Sequence, residues 1–205
     1  ITYDVTIKIE HLLQHAALLP LLRETGCLFV TSAVESIDDR VLARLRKGHT
    51  RAGFLRAVDL CRAAGVTLSP TFLPFTPWTT LAGYVELLEQ LESVGLVDAI
   101  APIQLGIRLL VTAESALLEL PDLRAALQPF DAASLTWPWR HDDARVDALQ
   151  RDVMTTVATM AQRPRAEVFG MIAALARERA GMTTRSGPVM ARGDAAWAVR
   201  TPCRP

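Results

Sequence analysis

The sequence predicts an α/β protein of about four parallel βα units followed by C-terminal helices. Strand-like and helix-like stretches alternate from Tyr3 to about Val111, and the predicted strands are far enough apart for crossover helices. After Pro121 only helical periodicity follows. Four units are too few for a closed eight-stranded barrel, so this pattern fits either an open sheet or part of a barrel.

The first predicted unit begins with the segment from Tyr3 to Ile9, whose alternation of apolar and polar residues is typical of a strand. The leucine-rich stretch from His11 to Thr25 predicts a helix. Pro20 inside that stretch predicts a break or a second short helix, and Gly26 is predicted to end it. The apolar run from Cys27 to Val30 then predicts a buried second strand, which would extend to Val34.

Two helices are predicted to follow the second strand. Ser36 with Asp39 three residues later is typical of a helix start, and Gly48 is predicted to end that helix. Thr50 is predicted to cap the next helix, which would stop at Gly65. We therefore expect Ser36 to act as a helix N-cap directly after the strand.

The third predicted strand runs from Val66 to Phe75 and contains Pro70 and Pro74. Because proline cannot donate a hydrogen bond to a neighbouring strand, we expect this strand to be short or bulged. Thr79 or Thr80 is predicted to cap the helix that follows. A fourth strand is predicted within residues 99–111.

The C-terminal part is predicted to be helical. The three predicted helices cover about residues 122–127, 142–160 and 165–180. We therefore divide the chain into a βα region (1–120), a C-terminal helical extension (121–180) and a tail (181–205). The tail is rich in Gly, Pro and Arg and lacks periodicity, so we predict that it is disordered.

The composition excludes some functional classes. The 205 residues are 50% hydrophobic, and 22 basic side chains balance 22 acidic ones, so we expect no nucleic-acid partner. No apolar run reaches the roughly 18 residues of a membrane span. Cys27, Cys61 and Cys203 are too far apart for a metal motif or a disulfide framework, which favours a reducing, cytoplasmic location. Glycine-rich phosphate-binding motifs are absent from the sequence.

Polar residues follow each predicted strand. In parallel α/β sheets the carboxyl ends of the strands meet at one rim, and ligands bind there. We therefore expect a site formed from these groups. The residues at or near the strand ends, polar apart from Phe75, are in chain order Lys8, Glu10, His11, Ser32, Glu35, Ser36, Thr71, Phe75, Thr76, Trp78, Gln104, Arg108, Thr112, Glu114 and Ser115.

Each of these groups also has a structural interpretation. Ser36 fits a helix N-cap, and Glu35 could lie near a helix N-terminus, where the helix dipole favours a carboxylate. Arg108 needs a partner if it is buried, and a neighbouring carboxylate could supply one. His49 follows a helix end, where a cation complements the dipole.

Four short pieces of sequence follow one another in a familiar order. They are Val34-Glu35-Ser36, Lys47-Gly48-His49-Thr50, Ala64-Gly65-Val66 and Phe75-Thr76-Pro77-Trp78-Thr79. Together they resemble the middle of a radical S-adenosylmethionine (radical SAM) enzyme. The unit before them and the segment Ile107-Arg108-Leu109-Leu110 after them are similar to the flanking units, so the resemblance covers about residues 1–120. The chain looks closest to the CUAEP/CCAEP-tail group, although the Cys-rich tail of that group is absent here.

The resemblance implies an incomplete, TIM-like barrel and an enzyme that cleaves S-adenosylmethionine (SAM) to start radical chemistry on an unknown substrate. It implies SAM and a [4Fe–4S] cluster as cofactors. The turn around Thr76 would lie where the family cradles adenine, and Glu35 and Ser36 would contact the ribose or amino-acid part of SAM. The expected SAM-contacting residues are Glu35, Ser36, Ser32, Thr76 and Arg108.

One departure from the family concerns the cluster. Radical SAM enzymes hold it with a C-x-x-x-C-x-x-C motif after the first strand, and the spacing of the three cysteines here cannot supply this motif. By the resemblance, the chain looks like the C-terminal piece of such an enzyme, expected to be inactive by itself. Its first strand would then expose an unpaired edge, which favours self-association.

Two other functions fit the same residues. The chain could be a non-catalytic α/β binding domain in which the polar groups serve as caps and ion pairs. It could also be a complete small-molecule enzyme that uses Glu35 as a general base. The sequence does not decide whether the chain is an enzyme.

Overall fold

The computed structural model of this protein describes residues 1–182. Its centre is a three-stranded parallel sheet in the order β1-β2-β3, with β1 at Tyr3–Thr6, β2 at Cys27–Glu35 and β3 at Thr67–Phe72. Helices connect the strands, so the predicted parallel α/β arrangement is confirmed for three units. Three strands do not close a barrel, and the partial TIM-like barrel stays a prediction.

Eight α-helices occur within the described residues. They are α1 (Ile9–Gln14), α2 (Leu19–Glu24), α3 (Asp39–Arg44), α4 (Arg51–Ala63), α5 (Leu81–Ser93), α6 (Pro121–Ala126), α7 (Ala144–Thr159) and α8 (Arg165–Arg179). Short 3₁₀ turns lie at Ala16–Leu18, Val97–Ala99, Pro102–Gly106 and Ala116–Glu119. The predicted break near Pro20 is confirmed, because Pro20 lies in the first turn of α2.

Several helix boundaries follow the predicted start and stop signals. The side chains of Thr50 and Thr80 accept hydrogen bonds from backbone N–H groups in the first turns of α4 and α5, as N-caps do. Gly26 separates α2 from β2 with a φ of 95°. A Cβ at Gly26 would lie 2.7 Å from the carbonyl oxygen of Ile1, so only glycine fits this turn.

The two faces of the sheet differ in polarity. Val30, Ser32 and Val34 of β2 are fully buried on the face that helices cover. Thr6, Thr31 and Ser69 lie beside one another across the three strands on the opposite face, where they keep partial or full exposure. One face therefore belongs to the apolar core, and the other presents a row of hydroxyl groups.

The prediction for the third strand is confirmed. β3 is short, and Pro70 lies opposite Ser32 in the ladder. The pairing then shifts, because Ala33 pairs with Thr71 whereas Glu35 pairs with Phe72. The extra residue is on β2, so the bulge lies at the carboxyl end of the central strand.

The predicted fourth strand is wrong except at one point. Two 3₁₀ turns, Val97–Ala99 and Pro102–Gly106, occupy the first half of this range, and only an isolated parallel bridge joins Phe75 to Arg108 in the second half. Pro102 starts one of these turns, and Gly106 packs so closely on Met154 of α7 that a Cβ would overlap its sulfur. Helix α7 therefore packs beside residues 99–111, which the sequence pattern predicted to contain a strand of the sheet.

The C-terminal helices are confirmed, and they share the main core. Val146, Leu149 and Val153 of α7 are buried together with Phe169 and Ile172 of α8 in the cluster that the βα units also form. A second, smaller hydrophobic cluster joins the region after β3 to α6. Its buried members are Leu109, Val111, Leu123, Ala126 and Trp139. Most of the tail predicted to be disordered lies outside the described residues.

Candidate functional site

Glu35 ends the central strand in an unusual backbone conformation. Its φ is 68°, and the N–H of Ser36 donates a 2.9 Å hydrogen bond to the carbonyl of Val34. This bond makes Glu35 the centre of a γ-turn of the rare positive-φ form. A non-glycine residue in the left-handed region costs on the order of 1 kcal/mol, and such strain clusters at functional sites. The strained turn at Glu35 therefore favours a ligand site at the carboxyl end of β2.

The carboxylate of Glu35 faces Lys47. Its Oε1 atom lies 3.4 Å from Nζ of Lys47, and the two side chains keep 24% and 23% of their exposure. Lys47 comes from the loop between α3 and α4, in which Arg46 also has a left-handed φ of 50°. The loop thus returns to the rim and delivers a cation to the carboxylate, while both groups stay within reach of solvent.

The same loop packs on the start of α1, which follows the first strand. Gly48 approaches the Glu10 carboxylate so closely that a Cβ would overlap it. His49 Nδ1 lies 3.3 Å from the carbonyl oxygen of Lys47, which favours Nδ1 as the protonated nitrogen. Burial lowers the pKa of His49, although the hydrogen bond with the carbonyl of Lys47 opposes this effect, and the lower pKa favours the neutral ring. We call Glu10, Glu35, Lys47 and His49 the β1–β2 rim cluster.

Thr76, a predicted SAM contact, uses its polar groups within its own turn. It is 1% exposed, its N–H donates to Thr79 Oγ1 (2.9 Å), and its hydroxyl oxygen accepts from the Trp78 N–H (3.3 Å). Thr79 Oγ1 in turn donates to the carbonyl of Pro74 (2.8 Å). These bonds hold the chain between β3 and α5.

Arg108, another predicted contact, points toward α7. Its Nη1 donates to Asp147 Oδ1 (2.6 Å), and its Nη2 donates to the carbonyl of Trp139 (2.5 Å). The guanidinium also lies 3.5 Å from the centre of the Trp139 ring, in cation–π geometry. Arg108 therefore pairs with a neighbouring carboxylate, Asp147, as expected for an arginine with a structural role.

The two predicted serines lie in different environments. Ser32 is completely buried on the helix-covered face, and its hydroxyl has no hydrogen-bond partner within residues 1–182. The predicted N-cap role of Ser36 is wrong: Asp38 caps α3 by accepting from the Arg40 N–H (2.8 Å). Ser36 Oγ instead accepts from the Asp38 N–H (3.0 Å), because the turn at Glu35 delays the helix start.

Lys47 is the rim residue that the predicted site lacked. It lies between two left-handed residues, Arg46 and Gly48. A basic residue beside glycine after a short helix indicates a tight turn, but the sequence does not say which strand end the turn meets. The partnership with Glu35 depends on where α3 lies in the fold.

A second concave region lies beside this rim. A cavity of about 310 Å³ is lined by residues of α3 and α5 and by Trp78. Its charged groups are already paired: the Arg51 N–H donates to Asp39 (2.7 Å), and the Arg51 guanidinium binds Glu86. The charged groups of the β1–β2 rim cluster are paired as well, but that cluster contains Glu35 with its positive φ, whereas none of the residues that line the cavity has one.

The described residues do not fit an iron–sulfur cluster. Within residues 1–182 no three His, Cys, Asp or Glu side chains are grouped as metal ligands. Cys27 and Cys61 are buried, and burial raises the pKa of both thiols, that of Cys61 to about 11, whereas a cluster needs thiolates. The helices in this part of the chain are all too short or too polar to cross a bilayer.

Comparison with known proteins gives a fold relationship. No protein-family profile and no curated protein matches the chain. The structure is similar to that of the cobalamin-dependent S-adenosylmethionine radical enzyme OxsB with aqua-cobalamin bound (TM-score 0.62, 12% identity). It is also similar to the same enzyme with aqua-cobalamin and S-adenosylmethionine bound (TM-score 0.64, 12% identity). The match covers 87% of this chain and 34% of that one, so this chain spans about a third of that enzyme's length.

At this identity the comparison establishes the fold alone. The fold of this chain is similar to that of about a third of OxsB. The CUAEP/CCAEP-tail subgroup stays a prediction.

Proposed function

We propose that this chain forms part of a radical SAM-type barrel and that its β1–β2 rim cluster contacts SAM. The observation that carries the proposal is Glu35, held in a positive-φ turn at the carboxyl end of the central strand. Strain of this kind is expected where a side chain must be aimed at a ligand. The fold likeness to an enzyme whose structure contains SAM supports the choice of ligand.

The chemistry of the Glu35–Lys47 pair suits SAM. The ligand carries ribose hydroxyls, an ammonium group and a carboxylate, and a charged hydrogen bond to such groups is stronger than a neutral one. Glu35 would accept a hydrogen bond from a hydroxyl or the ammonium group. Because both side chains keep about a quarter of their exposure, SAM could reach Glu35 without a rearrangement of the core.

The chain would do this as part of a larger sheet. Parallel sheets are normally covered on both faces, yet the face with Thr6, Thr31 and Ser69 is only partly covered: Thr6 is exposed and Thr31 half-buried, and Ser69 Oγ donates to the carbonyl of Ala99 (3.3 Å). Within residues 1–182 no strand pairs with the outer edge of β1. Further βα units on that side would complete the barrel. Residues that ligate the [4Fe–4S] cluster, which reductively cleaves SAM in this family, would also have to lie beyond those described.

The test is a calorimetric titration of the full-length, anaerobically reconstituted protein with SAM. Replacing Glu35 by Gln removes the charge and should weaken binding about tenfold or more, the usual effect of losing a charged hydrogen bond. Glu89→Gln is the matched control, because Glu89 pairs with Arg177 at the same 3.4 Å but joins α5 to α8. Equal affinities of Glu35→Gln and the unsubstituted protein would contradict the proposal.

The same titration separates the alternative functions. A non-catalytic binding domain remains a candidate because Thr76 and Arg108 use their hydrogen bonds for structure. Failure of the reconstituted protein to bind SAM would favour that domain. A general-base role for Glu35 has less support, because its carboxylate already faces Lys47.

A further inference from the structure

Residues 109–139 form a unit with its own hydrophobic core. Leu109, Val111, Leu123 and Trp139 are buried together in the second cluster, which is separate from the main core of the sheet and helices. Stability within a protein is not uniform, and a segment with its own small core can open independently of the rest. We call this unit the rim segment.

The two ends of the rim segment are tied together. Trp139 Nε1 donates to the carbonyl of Leu109 (2.7 Å), and the Trp137 N–H donates to the carbonyl of Val111 (2.8 Å). Arg108, just before the segment, reaches the Trp139 carbonyl and anchors it to Asp147 of α7. The chain therefore enters and leaves the segment at one narrow neck, as in a large Ω-loop.

The body of the rim segment is held to the rim by charged and polar bonds and by the packing of Leu73 and Trp78 on the second cluster. Asp122 Oδ2 accepts from Arg44 Nε (2.8 Å) and from Trp78 Nε1 (2.8 Å). Arg46 Nη2 lies 3.3 Å from Glu119 Oε2, with both side chains more than two-thirds exposed. Ion pairs this exposed contribute little stability and are weakened by salt.

We propose that the rim segment is a hinged flap that opens about its neck when Asp122 releases Arg44 and Trp78. The flap lies at the carboxyl ends of the strands, because it contacts α3 and the turn after β3. Arg46, which holds the flap, directly precedes Lys47, which holds Glu35. One short loop therefore links the flap to the β1–β2 rim cluster. This inference concerns access to the rim and does not depend on SAM being the ligand.

Hydrogen exchange measured by mass spectrometry tests the flap in the 205-residue chain. Asp122→Asn should speed exchange in peptides from residues 109–139 by about 3- to 10-fold, as expected for losing exposed or half-buried charged bonds. Peptides from β2 and α4 should exchange at their original rates. Asp59→Asn is the matched control, since it removes the same charge from an exposed ion pair with Arg62 (3.5 Å) inside α4.

A second variant isolates one bond. Trp78→Phe keeps an aromatic ring in the second cluster but removes the N–H that Asp122 accepts from. It should also accelerate exchange in residues 109–139, by less than Asp122→Asn does. Unchanged exchange in both variants would overturn the proposal. So would equal acceleration in β2 and α4, because that result would mean general destabilisation rather than the opening of a flap.

Discussion

The two halves of the rim use similar residue types for different purposes. At the β1–β2 half, Glu35 and Lys47 face each other and remain partly exposed. At the β3 half, the polar groups of Thr76 and Arg108 are engaged by Thr79, Asp147 and neighbouring carbonyls. A polar residue at a strand end is therefore a binding candidate only where the surrounding fold leaves its hydrogen-bonding capacity available.

Among these substitutions, Arg108→Ala in the β3 half of the rim should lower the stability of the protein most. The side chain of Arg108 is 27% exposed and that of Asp147 is 14% exposed, so the substitution leaves a largely buried carboxylate with only the His141 N–H as a donor and no cation. We expect the free energy of unfolding to fall by about 2–3 kcal/mol, somewhat less than for a fully buried pair. Urea titration followed by circular dichroism measures this loss.

The control for Arg108 is Arg163→Ala. Arg163 pairs with Glu167 at 3.8 Å on the surface of α8, and such a pair contributes at most about 0.5 kcal/mol. If Arg108→Ala left the stability of the protein unchanged but abolished SAM binding, the assignment of Arg108 to structure would be wrong.

Thr79→Val should have the next largest effect, at the turn after β3. Thr79 Oγ1 accepts from the Thr76 N–H and donates to the carbonyl of Pro74, and valine keeps its shape without the hydroxyl. We expect a loss of about 1–2 kcal/mol, because the Thr76 N–H is left without that acceptor. Thr155→Val is the control, since its hydroxyl only bonds back to the carbonyl of Arg151 on an exposed helix face. Equal urea midpoints for the two variants would contradict this prediction.

Glu35→Gly should not lower the stability of the protein, in contrast to Arg108→Ala and Thr79→Val. Glycine adopts a φ of 68° without strain, so this substitution should leave stability unchanged or raise it by up to about 1 kcal/mol, even though the ion pair with Lys47 is lost. SAM affinity should nevertheless fall. Calorimetry measures the SAM affinity of this variant and urea titration its stability. A loss of affinity without a loss of stability would distinguish Glu35 from the structural residues of the β3 half. A marked loss of stability would indicate that Glu35 is structural.

The sequence predicts those features of the fold that depend on neighbouring residues. Three strands and the caps at Thr50 and Thr80 follow from alternation, helical periodicity and start signals, all of which are read within a few residues. The fourth predicted strand failed because α7, about forty residues further along the chain, packs on Gly106. An apolar run does not reveal whether a strand or a distant helix will cover it.

The candidate site also has features that neighbouring residues predict and features that depend on distant contacts. The position of Glu35 at a strand end could be predicted locally, because the apolar run Cys27 to Val30 begins the strand and Glu35 follows Val34 directly. Its partner Lys47 depends on the path of the loop after α3, and the partner of Arg108 depends on how α7 packs. Distant contacts therefore decide which predicted site residues remain available for a ligand.

The smallest expected effect concerns the start of α7, which supports the β3 half of the rim. Asp143 caps this helix, and hydrogen bonds from Arg145 lower the pKa of its carboxyl to about 2. Because the folded pKa lies below the ordinary value of 3.8, the ionised cap stabilises the protein above pH 4, and this contribution is lost as the pH falls toward 2.

In Asp143→Asn the capping oxygen remains but does not ionise. The urea midpoint of the unsubstituted protein should therefore exceed that of Asp143→Asn at pH 5, and the difference should vanish near pH 2. A difference independent of pH would show that the charge of Asp143 does not contribute to the stability of α7.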